Sequence, residues 1–375
     1  FYLFGLPFMV FGWSNAGLLV AGGLWLAFFV GVALWSGYKA AGLPGLAVIA
    51  SGIVLLYGLF DSTLVLPWNP WLPVIGLFAT LTIAWRMFMG DQGLWPLFMF
   101  CVSYIAQAHL GVAPLAFTLG LALLVQAIIR WRLDPRHTVR SKEVKWTLLV
   151  WFVCWLGPLI NLLTYAPSNV GQILALTRDD SGQPDVVQQS LVHVSHLLFP
   201  WYRLSRQYGE ITVAGAVIFA AAIAILLLSL YEFRKGEREV GGLEYAARSG
   251  IILGLFITVV TFWAGTSTGG GLRILFLDYL QAGPLFLALM TVFWAVIRLR
   301  EEYPIVWIRN GQVIGIVAIV AAVAVAVFGP TSQQREFVGV AYEQDLDHAA
   351  TVLNKLQPIL LDERFDGMPL YLHSG

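Results

Sequence analysis

From Leu94 to Ile129 the chain carries no Asp, Glu, Lys or Arg. As one helix rising 1.5 Å per residue, the stretch 94–130 would reach about 55 Å, beyond the roughly 30 Å of a bilayer core at any reasonable tilt. The run must therefore break. Gly111 followed by Pro114 marks the place, because glycine suits a helix C-terminus and a proline shortly beyond it cannot continue that helix. Just before the break, Ser103-Tyr-Ile-Ala-Gln-Ala-His-Leu-Gly111 sets Gln107 and His109 among apolar residues. Polar groups are expensive in hydrocarbon, so such residues are candidates for a functional site.

The rest of the chain extends the same argument. Of its 375 residues 58% are hydrophobic and only 12% charged, where a soluble domain has about 25% charged residues. The expected fold class is an all-α polytopic membrane protein of about ten spans: 15–37, 43–60, 71–88, 94–109, 111–130, 146–164, 211–231, 249–266, 282–298 and 311–329. The segment after the fifth span holds Arg130, Arg132, Arg136, Arg140, Lys142 and Lys145, which places it in the cytoplasm. Alternation then puts fifteen of the 22 Lys and Arg inside, Lys39, Arg86, Arg248 and Arg298 among them. It puts residues 61–70, His109, the long loop 165–210, residues 266–281 and the tail outside.

Residues 1–13 are aromatic and too short to span, and are expected to lie at the outer interface. Residues 331–375 change composition and read as the start of a small extracytoplasmic α/β domain, following a transmembrane domain over 1–330. Beginning at Phe1 and stopping within a strand-like run, the chain reads as a piece of a longer protein. Cys101 and Cys154 fall inside apolar spans and read as small buried hydrophobes. A formal net charge of zero gives no field that would attract nucleic acid.

The candidate site residues gather on the side assigned to the outside. Asp61 stands at a helix end as a candidate acid/base group, and Asn69 lies in a turn between Trp68 and Pro70. His109 falls in the last turn of its helix, where the macrodipole favours a cation; Gln107, about 200° round a continuous helix, shares a cavity with it only if the helix ends between them. The loop 165–210 carries Arg178, the pair His193 and His196 at i, i+3, and Arg203 and Arg206 among aromatics, a plausible phosphate clamp. Arg273 follows the glycine-rich stretch 266–271. The nucleotide, dinucleotide, metalloprotease and Cys-x-x-Cys signatures are absent. No cofactor is called for with certainty, and a divalent cation is left open.

Three stretches carry a resemblance. Phe1-Tyr-Leu-Phe-Gly-Leu-Pro-Phe-Met-Val-Phe-Gly12, Pro67-Trp-Asn-Pro-Trp71 and Ala106-Gln-Ala-His-Leu-Gly-Val112 resemble elements of the GT-C superfamily of membrane glycosyltransferases, in the branch of protein mannosyltransferases and aminoarabinose transferases, closest to actinobacterial members. The resemblance implies a GT-C-like bundle in a bacterial plasma membrane. It implies a polyprenyl-phosphate sugar as donor, a hydroxyl of a cell-envelope glycan, lipid or protein as acceptor, and chemistry on the extracytoplasmic face. The family's principal carboxylate precedes the segment matched by Phe1, and where its members carry an acid before Pro-Trp-Asn-Pro this chain has Leu66. His109 and Asp61 are then the catalytic candidates. Asn69, Gln107, Arg178, Arg203, Arg206 and Arg273 are the candidates for binding substrate. The alternative is a transporter or flippase of a lipid-linked glycan, which predicts polar groups at mid-bilayer and broken helices in repeated halves.

Overall fold

The computed structural model describes residues 5, 8–12, 14–60, 64, 71–133, 139–164, 242–267, 281–302, 320 and 323. The chain divides into two compact units, Phe1–Phe328 and Gly329–Gly375, and all the described residues belong to the first. The expected α/β domain, the loop 165–210 and the spans 211–231 and (but for two residues) 311–329 lie outside the described residues. Within them every regular element is helical: α1 (Asn15–Phe60), α2 (Leu72–Met89), α3 (Trp95–Ala108), α4 (Ala113–Leu133), α5 (Ser141–Thr164), α6 (Gly242–Ser267) and α7 (Ala282–Glu302). Six of these are long and apolar enough to cross a membrane by length and composition, as a helical membrane protein requires.

Helix α1 begins at a serine cap, Ser14 Oγ accepting the Gly17 N–H at 3.0 Å. Its 46 residues are too many for one crossing, and the chain solves this at Ala41 and Gly42. Gly42 takes φ 64° there, a left-handed conformation that costs glycine little. The two arms fold back on each other: a Cβ on Gly37 would lie 2.7 Å from Ile49 Cγ1, although these residues stand about 18 Å apart in an unbroken helix. The two expected spans 15–37 and 43–60 are thus the two arms, with Lys39 at the bend.

Helix α2 is the axis of the bundle and α5 its periphery. In α2 83% of the most apolar window is buried inside the protein, against 6% in α5. The α5 side chains Leu148, Trp151, Phe152 and Leu163 are exposed, as lipid-facing residues are. Close approach around α2 depends on small residues. A Cβ on Gly76 would come within 2.6 Å of Ile105 Cγ2, and one on Gly52 within 2.5 Å of the Phe78 ring. The α6–α7 pair uses the same device, Gly254 leaving no room for a Cβ against the Leu287 backbone at 2.8 Å.

The expected break in the run 94–130 is present, but three residues earlier than Gly111. Helix α3 stops at Ala108, His109 is extended at φ −148° and ψ 118°, and a short 3₁₀ turn over Leu110–Val112 leads into α4. Gly111 does not adopt a left-handed conformation; among the described residues only Gly12, Gly42 and Gly90 do. Pro114 sits in the first turn of α4, where its missing N–H has no intrahelical acceptor to lose. At 14 residues α3 is about 21 Å long, short of a full crossing.

Candidate functional site

Gln107 and Ser103, four residues apart on one stripe of α3, both face α5. Ser103 Oγ accepts the indole N–H of Trp155 at 3.0 Å. Gln107 Nε2 donates to the carbonyl of Cys154 at 2.8 Å. The second bond has a specific cause. In a helix the carbonyl of residue 154 is bonded by the N–H of residue 158, and residue 158 is Pro, which has none. A carbonyl left open at that depth would cost roughly 1–3 kcal/mol; Gln107, reaching from the neighbouring helix, supplies the missing donor.

His109 leaves the helix at the next turn. Its own N–H donates to the Ile105 carbonyl and its carbonyl accepts from Val112 N–H, both at 3.0 Å, so the backbone continues through the break. The imidazole folds over the 3₁₀ turn, with Nδ1 accepting the Gly111 N–H at 3.1 Å. A nitrogen that accepts carries no proton, so the ring is neutral with its proton on Nε2. The macrodipole favours a cation at this helix end, but burial in the connector disfavours the charged form and pushes the His109 pKa below the ordinary histidine range. The helix does end between Gln107 and His109, yet Gln107 turns toward α5 and His109 toward its own backbone.

Beside this break lies a pocket that the sequence reading missed. Gly22, Trp25 and Phe29 of the first arm of α1, Trp71 and Ile75 at the start of α2, and Tyr104 of α3 line it, with Leu26, Leu64 and Leu72. It leaves about 10 Å³ for the centre of a water-sized group, enough for one. Tyr104 packs its ring 4.6 Å from Trp25 and 4.9 Å from Phe29, centroid to centroid, and is 2% exposed. Two polar atoms of this aromatic cluster, the Tyr104 hydroxyl and Trp25 Nε1, are buried without a hydrogen-bond partner among the described residues. Tyr104 stood inside the polar stretch 103–111 and Trp71 beside Asn69, so two walls were near positions of interest. Trp25, an aromatic in an apolar helix, gave no signal.

The charged residues collect at the opposite end of α3. Arg86, in the last turn of α2, is 9% exposed; it pairs with Asp91 and lies 4.4 Å from the centre of the Trp35 ring. Gln126 Nε2 and Arg130 Nη2 of α4 donate to the Phe88 carbonyl at 2.6 and 2.7 Å, capping α2 as cations and amides cap helix C-termini. Arg130 also bonds the Tyr245 hydroxyl at 2.6 Å. Glu244, next to it on α6, pairs with Arg248 and with Arg298 of α7. The basic residues that alternation assigned to one side, Arg86, Arg130, Arg248 and Arg298, thus gather at one end of the bundle.

Asp61, Asn69, Arg178, His193, His196, Arg203, Arg206 and Arg273 lie outside the described residues. Cys101 and Cys154 are free and buried. Among the described residues no three His, Cys, Asp or Glu side chains gather as a metal site. Comparison with family models, with curated proteins and with solved structures gives no match.

Proposed function

We propose that the chain is a membrane-embedded glycosyltransferase of GT-C type, moving a sugar from a polyprenyl-phosphate donor to a hydroxyl acceptor on the extracytoplasmic face of a bacterial plasma membrane. The observation that carries this reading is the segregation along α3: basic residues and their partners occupy one end, and the His109 break and aromatic pocket occupy the other. With the basic end inside, the end that holds the His109 break faces the side on which the resemblance sets the chemistry. A bundle of apolar helices suits a donor whose carrier stays in the bilayer.

On this reading the acceptor oxygen attacks the anomeric carbon, a carboxylate takes its proton, and the sugar's bond to the lipid phosphate breaks. Asp61 is the candidate for that base. Arg178, Arg203, Arg206 and Arg273 are the candidates for meeting the phosphate that departs. His109, being neutral, serves as a hydrogen-bonding group toward donor or acceptor and not as a phosphate-binding cation.

The protein reconstituted with polyprenyl-phosphate sugars should release polyprenyl phosphate, and His109→Ala should slow that release about a hundredfold while leaving the protein folded. Movement of the intact donor across a vesicle membrane without such release would identify a flippase instead. No turnover of any such donor, or an undiminished His109→Ala, would sink the assignment.

A further inference from the structure

We propose that the aromatic pocket binds the hydroxyl group of an uncharged alcohol carried on an apolar chain. Two polar groups of the pocket residues supply the first step. Buried polar atoms are hydrogen-bonded in the great majority of folded proteins, whereas Trp25 Nε1 and the Tyr104 hydroxyl, on two residues that line one cavity, have no partner among the described residues. A ligand oxygen meets both needs, accepting from the indole N–H, which can only donate, and exchanging a hydrogen bond with the tyrosine hydroxyl, which can do either.

Charge and size narrow the ligand. None of the described lining residues is charged, so among them a phosphate or carboxylate oxygen would find no counter-charge, at a large desolvation cost. An ammonium offers the indole no acceptor. The room is for one heavy-atom group, which excludes a sugar ring inside the cavity itself. Water remains as a competitor: a buried water typically makes about three hydrogen bonds, and the described lining side chains carry three polar atoms, those of Trp25, Trp71 and Tyr104. An alcohol oxygen meets the Trp25 and Tyr104 groups as a water would, while its carbon chain, outside a cavity with room for one group, covers apolar surface that a water leaves bare.

The approach is from lipid. Trp25 is only half-buried, and on the same arm Leu24 and Phe28 are 50% and 37% exposed. A chain lying along this apolar flank delivers its head group to the cavity that Trp25 and Tyr104 line. The inference does not depend on glycosyl transfer: it follows from the pocket alone, and its test needs no turnover.

The experiment uses the whole chain labelled with ¹⁵N-tryptophan in lipid nanodiscs, the Trp25 indole signal being the one missing from Trp25→Phe. It is titrated with dodecanol, and in parallel with dodecane and dodecyl phosphate. The Trp25 signal should shift saturably with dodecanol, stay in place with dodecane, and respond at least about tenfold more weakly to dodecyl phosphate. Tyr104→Phe should weaken the dodecanol response about fivefold, the worth of one neutral hydrogen bond. A signal that ignores dodecanol, follows dodecane equally well, or keeps an unchanged contact to a long-lived water throughout overturns the proposal. The wild-type titration is decisive by itself, so a Tyr104→Phe chain that fails to fold does not shelter it.

Discussion

Ser103 and Gln107 on one stripe of α3 are hydrogen-bonded to α5, while Tyr104, one position round the same helix, buries a hydroxyl among aromatic rings with no partner among the described residues. The first stripe holds two helices together in an environment where apolar side chains give no net drive to associate. The second leaves unused bonding capacity, which is what a binding site needs before its ligand arrives. The contrast teaches that polarity within an apolar run has two physically distinct uses. What separates them is whether a neighbouring helix has a broken backbone bond or an open indole to repair.

The largest test of this contrast is Gln107→Leu. If Gln107 serves the carbonyl that Pro158 strands, removing it leaves a buried acceptor open and lowers stability by about 1–3 kcal/mol. Pro158→Ala returns the helix's own N–H donor, so the same Gln107→Leu change made on that background should cost far less. A double-mutant cycle followed by unfolding in mixed micelles should therefore show a coupling of about 1 kcal/mol or more. Strict additivity would mean that the Gln107 bond and the proline are unrelated, and the stripe would lose its structural reading.

Ser103→Ala comes next. It deletes a hydroxyl and leaves the Trp155 N–H without the acceptor it now has, an expected loss of about 1 kcal/mol. Trp155→Phe on the Ser103→Ala background should recover part of it, since the stranded donor is then gone as well.

How much of this could be read beforehand follows from the kind of signal involved. The hairpin of α1 and the break after the 94–109 run were legible, because span length against bilayer thickness is a count along the chain. The exact stop was not, because His109 competes for the backbone through its own side chain, taking the Gly111 N–H on Nδ1 and ending the helix before the glycine that seemed to end it. Gln107 was legible as a residue of interest, but its partner is created by Pro158, 51 positions away and in another span. Trp25 was illegible: among 24 Phe and 15 Trp in the chain, nothing local separates a pocket wall from a lipid-facing ring.

His109 stands where both stripes end, and acid should test it. Its folded pKa is lowered from 6.5 by burial, so the unfolded chain binds a proton more readily than the folded one. The contribution is then complete above about pH 6.5 and is lost as pH falls through the lower, folded value. Protonation also takes Nδ1 away as the acceptor for Gly111 N–H, at about 1 kcal/mol or less in this partly exposed connector. Thermal unfolding followed from pH 7.5 downward should show a drop beginning near pH 6.5 that His109→Gln reduces. A His109→Gln chain with the same acid profile would place the titration elsewhere.

The smallest expected effect is the most discriminating. Tyr104→Phe removes a hydroxyl just as Ser103→Ala does, from a residue just as deeply buried, yet no group of the described residues bonds to the oxygen that is lost. With no alcohol added, its stability should stay within about 0.5 kcal/mol of the parent, and could even rise, because an unsatisfied buried hydroxyl is no longer carried into the core. The tyrosine and serine deletions, measured side by side in the same micelles, thus separate a hydroxyl that the fold uses from one that it holds in reserve. If Tyr104→Phe instead costs as much as Ser103→Ala, the tyrosine oxygen is serving the folded state, and the two stripes of α3 are one structural seam.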